Sequence, residues 1–102
     1  MVEIIDKHID EVAALCRQTG ARRLRLFGSA VREDFEPATS DLDFLVEFDT
    51  LAPAKYADSY FALKEGLEML LGRQVDLVAA SSIKNPYFRE RVEAESQTVY
   101  AR

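Results

Sequence analysis

Apolar residues recur at three- and four-residue steps through Val2, Ile5, Ile9, Val12 and Cys16, the spacing that lines up one side of a helix. The pattern predicts an amphipathic helix that stops near Thr19-Gly20, where glycine can take the left-handed capping conformation. The period then changes. Residues 22–27 alternate, with Leu24 and Leu26 expected inward and Arg23 and Arg25 outward, and the alternation breaks at Gly28-Ser29. Residues 30–33 can begin a short helix, and residues 34–40, with Pro37 and Thr39-Ser40, read as a polar loop. A second strand is expected over residues 41–48, with Leu42, Phe44 and Val46 on one face and Asp41 and Asp43 on the other.

The longest helical pattern covers residues 53–71, where Tyr56, Tyr60, Leu63, Leu67 and Leu70 share a face before Gly72 stops it. Both tyrosines are expected to pack. Residues 74–78 form a short apolar run interrupted by Asp76. In the tail, Asn85 can cap a helix that starts at Pro86, with Phe88, Val92 and Val99 at helical spacing and one face of the sheet beneath it. The order helix, strand, strand, helix, strand, helix predicts an α/β fold, with a central mixed sheet of three to four strands flanked by helices. The segment over 53–71 is long enough to join parallel strands.

Composition narrows this picture. At 102 residues, 48% of them apolar, the chain is expected to form one domain over 1–102 with a single core. Thirteen basic residues against eighteen acidic ones leave a net charge of -5. That argues against an extended phosphate-backbone footprint, so direct nucleic-acid binding is not expected. The first ten residues carry Glu3, Asp6 and Asp10 and no apolar run, which predicts neither a signal peptide nor a membrane span and a cytoplasmic location. Cys16, the sole cysteine, lies on the apolar stripe and reads as a core thiol rather than a nucleophile. His8, the sole histidine, lies off the stripe and reads as a surface residue rather than a metal ligand.

The candidate chemistry sits around Asp41-Leu42-Asp43. Two carboxylates two residues apart along a strand stand about 6–7 Å apart at the backbone and point the same way, so their side chains can bracket a cation. The plain alternative is a solvated strand end. It is disfavoured by the run Phe44-Leu45-Val46, which places Asp43 beside the buried part of the strand, where an unpaired charge is costly. Asp76 interrupts an apolar strand in the same manner and is a third inward acid. Gly28-Ser29 offers backbone N–H groups and a hydroxyl to an anion, although an isolated Gly-Ser pair is more often an ordinary turn with serine as the cap.

Taken together, Gly28-Ser29, Asp41-Leu42-Asp43 and Asp76 resemble the pattern of the minimal nucleotidyltransferases of the DNA polymerase β superfamily. The motifs cover residues 24–78, and the similarity extends in size to the whole chain, including Arg89-Glu90-Arg91. One departure is the spacing: residues 30–40 separate Ser29 from Asp41, one residue more than is usual in the family, within the loop over 36–40.

The resemblance implies that Asp41, Asp43 and Asp76 serve as catalytic and metal-binding residues. They would hold two Mg²⁺ ions against a triphosphate, with Asp76 as metal ligand or general base. It implies that Gly28 and Ser29 hold the terminal phosphates. Arg32 could reach a phosphate, or could equally be a surface arginine beside Glu33 and Asp34. It further implies an antitoxin that moves AMP from ATP to a tyrosine hydroxyl of a helical HEPN-type toxin and forms a hetero-oligomer with it. The short chain leaves little room for an acceptor-binding domain, so the acceptor is expected from outside. Two other readings stand beside this one: a non-catalytic antitoxin that occludes its partner, and a nucleotidyltransferase acting on a small molecule.

Overall fold

The computed structural model of the chain describes residues 2–31, 41–49 and 51–102. The first helical stretch divides in two, α1 (Glu3–Lys7) and α2 (Ile9–Thr19). His8 at φ -115° and ψ 20° interrupts the spiral, and Ile5 and Val12 are fully buried on either side of it. His8 is half-buried, and its Nδ1 lies 3.4 Å from Glu11 Oε1. Gly20 adopts the expected left-handed cap at φ 80°.

The strands are β1 (Ala21–Phe27), β2 (Leu42–Phe48), β3 (Val75–Ala79) and β4 (Gln97–Ala101), in the order β3-β2-β1-β4. β1 runs antiparallel to both its neighbours, and β2 and β3 are parallel. The crossover between the parallel pair is α3 (Pro53–Leu71), which begins at proline and ends at Gly72 in the left-handed region, as its sequence predicts. The core packs α1, α2 and α3 against one face of the sheet through Leu24, Leu26, Phe44, Val46, Leu63, Leu67, Val75 and Leu77. Cys16 belongs to this core, and burial pushes its thiol up to about 12.

Several expectations change. The tail is α4 (Pro86–Glu95) followed by β4, so Val99 lies on a strand and not on the helix. Asn85 does cap α4, its Oδ1 accepting from the N–H groups of Tyr87 at 2.9 Å and Phe88 at 3.2 Å. Only Val92 of α4 is buried, so the helix covers the sheet thinly. Arg25, expected outward, is only 5% exposed. Its strand is internal, flanked by β2 and β4, and its charge is met by Glu47, which lies 3.7 Å from Arg25, 3.5 Å from Arg22 and 3.8 Å from Arg23. Tyr56 and Tyr60 pack as expected, Tyr56 edge-on to Phe48 with ring centres 5.1 Å apart. Among the described residues, no helix is long and apolar enough to cross a membrane.

Candidate active site

β1 ends at Phe27, the cross-strand partner of Asp43. The chain turns there at once. Gly28 has φ 75°, and residues 28–30 form one tight turn in which the Val31 N–H donates to the Gly28 carbonyl at 3.1 Å. The left-handed backbone alone favours glycine. A second constraint is steric: a Cβ on Gly28 would lie 2.1 Å from Asp43 Oδ2 and 3.0 Å from its Cγ. The turn and the carboxylate therefore approach more closely than any side chain at position 28 would permit. Ser29 follows, half-buried.

On the other side of β2, Asp43 is in register with Asp76 of β3. Residues in register on neighbouring strands point to the same face, with backbones about 4.8 Å apart. Asp43 is half-buried and Asp76 is exposed. The inward position expected for Asp76 is thus corrected: β3 is an edge strand, and the face that carries Asp76 opens outward. Asp41 stands one residue ahead of β2 and is exposed, rather than lying within the strand. The neighbouring Leu42 N–H donates to the Gln74 carbonyl at 3.3 Å and ties the start of β2 to the start of β3. Arg32 and the loop with the extra residue lie outside the described residues.

Among the described residues, no three His, Cys, Asp or Glu side chains converge on one point. What the fold brings together is the pair Asp43 and Asp76, with Gly28 against the first of them. Their oxygens are hard donors suited to a divalent cation.

Two side chains of α3 fix β3 on either side of Asp76. Glu68 accepts from the Val75 N–H at 3.1 Å and from Lys64 Nζ at 3.0 Å. The Tyr60 hydroxyl donates to the Leu77 carbonyl at 2.5 Å. The backbone N–H of Val75, and then Lys64, hold the Glu68 carboxyl below its ordinary range, while the bond to Glu68 raises Lys64.

A cleft of about 280 Å³ opens beside the site, lined by Phe27, Gly28, Asp43, Phe88, Arg91, Val92 and Glu95. One wall is α4, where Arg91 Nε lies 3.5 Å from Glu95 Oε1. Sequence reasoning treats Phe88 as an inward helix residue and misses this wall. The clue was the Arg89-Glu90-Arg91 stretch, whose charges do not suit a helix buried on a sheet.

The family model of the nucleotidyltransferase domain matches residues 5–99. The chain belongs to this family. A Methanocaldococcus jannaschii protein to which protein adenylyltransferase activity is ascribed is 38% identical over 74 residues, 72% of each chain. A solved structure described as a minimal nucleotidyltransferase has 35% identity and a TM-score of 0.70, over 93% of this chain and 92% of the other. A third similarity, at 21% identity and a TM-score of 0.64, covers 96% of this chain and 73% of a chain in a Shewanella oneidensis complex. That complex is described as a tri-AMPylated HEPN toxin with its MNT antitoxin, and at this identity the likeness concerns the fold. As a nucleotidyltransferase, the protein is an enzyme with a nucleotide substrate, and its mixed four-stranded sheet with flanking helices is the minimal form of the fold.

Proposed function

We propose that this nucleotidyltransferase transfers AMP from ATP to a hydroxyl, that of a tyrosine, on a helical HEPN-type toxin, and silences the toxin as its antitoxin. The observation that carries the reading is the in-register pair Asp43 and Asp76 beside the Gly28 turn, two acids on one face next to a backbone that only glycine can supply. The adenylyltransferase activity ascribed to the Methanocaldococcus relative and the AMPylated toxin of the Shewanella complex support the choice of AMP and of a HEPN toxin as the acceptor protein. The net charge of -5 supports a basic partner, which it would attract and mask.

The carboxylate oxygens of the Asp43 and Asp76 pair fit Mg²⁺, and Asp41, exposed one residue ahead of β2, would have to turn toward them for the three acids to hold two such ions. Bound there, the ions would stabilise charge on the entering and departing oxygens of an in-line displacement. The chain's own residues do the rest. Gly28 leaves room for the Asp43 carboxylate against the turn, and the Gly28-Ser29 turn, through its N–H groups and the Ser29 hydroxyl, would bind the terminal phosphate oxygens. Asp76, on the open edge of the sheet, accepts the proton of the acceptor hydroxyl. The acceptor oxygen bonds to the α-phosphorus, the bond from that phosphorus to the bridging oxygen breaks, and pyrophosphate leaves. An edge strand suits this role, because the acceptor arrives on another protein.

The test is to combine the chain with the product of its neighbouring gene, Mg²⁺ and ATP labelled at the α-phosphate. Label on the partner's tyrosine supports the reading. An unlabelled partner, neutralised equally well by Asp43→Asn, would replace it with occlusion by a non-catalytic antitoxin. Label on a hydroxylated small molecule alone would move the acceptor class.

A further inference from the structure

Phe88 stands out among the exposed aromatic residues. It is 47% exposed, and its ring borders the same cleft as Gly28 and Asp43. A lone apolar side chain on a surface is ordinary. This one lines a cleft shared with the turn that approaches Asp43, with Val92, the anchored residue of α4, one helical turn farther on. Arg91 is three residues beyond Phe88, on the same side of the helix; its Nε lies 3.5 Å from Glu95 Oε1, and both side chains line the cleft. The cleft thus has the Gly28 turn and the Asp43 carboxylate at one end and an α4 wall that carries Phe88, Arg91 and Glu95. Its volume of about 280 Å³ sits at the small end of ligand sites and suits part of a nucleotide rather than a whole one.

We propose that Phe88 is the base platform of the site: the nucleobase stacks on its ring, with Arg91 flanking the stack, while the phosphates run toward Gly28. The inference rests on the nucleotidyltransferase reading above and adds the wall that positions the base. Every base has a π-face, so such a platform tolerates different bases and supplies affinity rather than fine selection. It positions substrate and takes no part in proton transfer, so its loss raises KM and leaves kcat near that of the parent.

The test exploits the absence of tryptophan from the sequence. Phe88→Trp places a single reporter at the proposed platform, and a non-hydrolysable ATP analogue should quench its emission while inorganic tripolyphosphate should not. Phe88→Leu keeps the apolar character but removes the ring. It should bind the ATP analogue about 5- to 100-fold more weakly, bind tripolyphosphate as the parent does, and transfer AMP with raised KM and unchanged kcat. The thermal melt of Phe88→Leu should match that of the parent, since the side chain is half-exposed. Equal ATP affinity in Phe88→Leu and parent, or equal quenching by tripolyphosphate, would overturn the platform while leaving the nucleotidyltransferase reading intact. A parent protein that binds neither ATP nor tripolyphosphate would overturn both.

Discussion

Asp43 and Asp76 stand opposite one another on the parallel strands β2 and β3, and Asp43 also faces the Gly28 backbone across the end of β1. One aspartate therefore links the Gly28 turn to the acid on the open edge. Replacing either acid by asparagine keeps size and removes charge. Each of Asp43→Asn and Asp76→Asn should lower kcat/KM for AMP transfer on the order of 10²–10³-fold with little change in melting temperature. Rates within a few-fold of the parent would remove that residue from the chemistry.

Gly28→Ala meets two penalties at once, a left-handed backbone and a Cβ 2.1 Å from Asp43 Oδ2. The backbone term alone costs about 1–2 kcal/mol, and the clash must push Asp43 aside. The expected outcome is a measurable loss of stability in denaturant titration together with loss of transfer. Ser29→Ala, at a half-buried neighbour, should spare stability and weaken nucleotide binding instead.

Tyr60→Phe deletes the hydrogen bond to the Leu77 carbonyl next to Asp76. A cost of about 1 kcal/mol is expected in chemical denaturation, since the carbonyl is left without that donor. Because Asp76 keeps its register through β2, activity should fall only a few-fold.

Glu47 is the acid shared by Arg22, Arg23 and the buried Arg25. Glu47→Ala leaves Arg25 buried with its charge uncompensated, and a loss of about 3 kcal/mol is expected, read from urea unfolding. The double variant with Arg25→Leu should recover much of it, which a purely surface role for Glu47 would not produce.

Stability should also report on Cys16. Burial pushes its thiol up from an ordinary value of 9.0 to about 12 in the folded protein. The folded state therefore favours the neutral form, and this contribution is fully present below pH 9 and is lost as pH rises from there toward 12. Unfolding free energy should decline over that window more in the parent than in Cys16→Ala. Alkylating reagents should leave the folded parent unmodified at neutral pH.

Helices and strands with strong periodicity were legible in the residues. Residues 53–71 carry proline at the first turn, a continuous apolar face and a terminal glycine, and α3 has those bounds. Arg25 was misread because alternation along one strand says nothing about whether the second face is also covered, and β1 is internal. β4 was missed because Val99 continues the helical spacing of Phe88 and Val92, while the break at Ser96 carries neither glycine nor proline. The acids and the Gly-Ser turn were visible as residue types at a spacing. Their assembly was not, because it depends on the register between β2 and β3 and on the contact at Gly28, both set by tertiary packing. The α4 wall was invisible for the same reason.

The central claim is that AMP leaves ATP for a tyrosine of the toxin through the Asp43 and Asp76 site. The most direct measurement is the intact mass of the purified partner after incubation with Mg²⁺, ATP and either the parent chain or Asp43→Asn. One or more adenylyl increments, mapped to tyrosine, are expected with the parent and none with Asp43→Asn. An unmodified partner in both reactions, or equal modification in both, would contradict it.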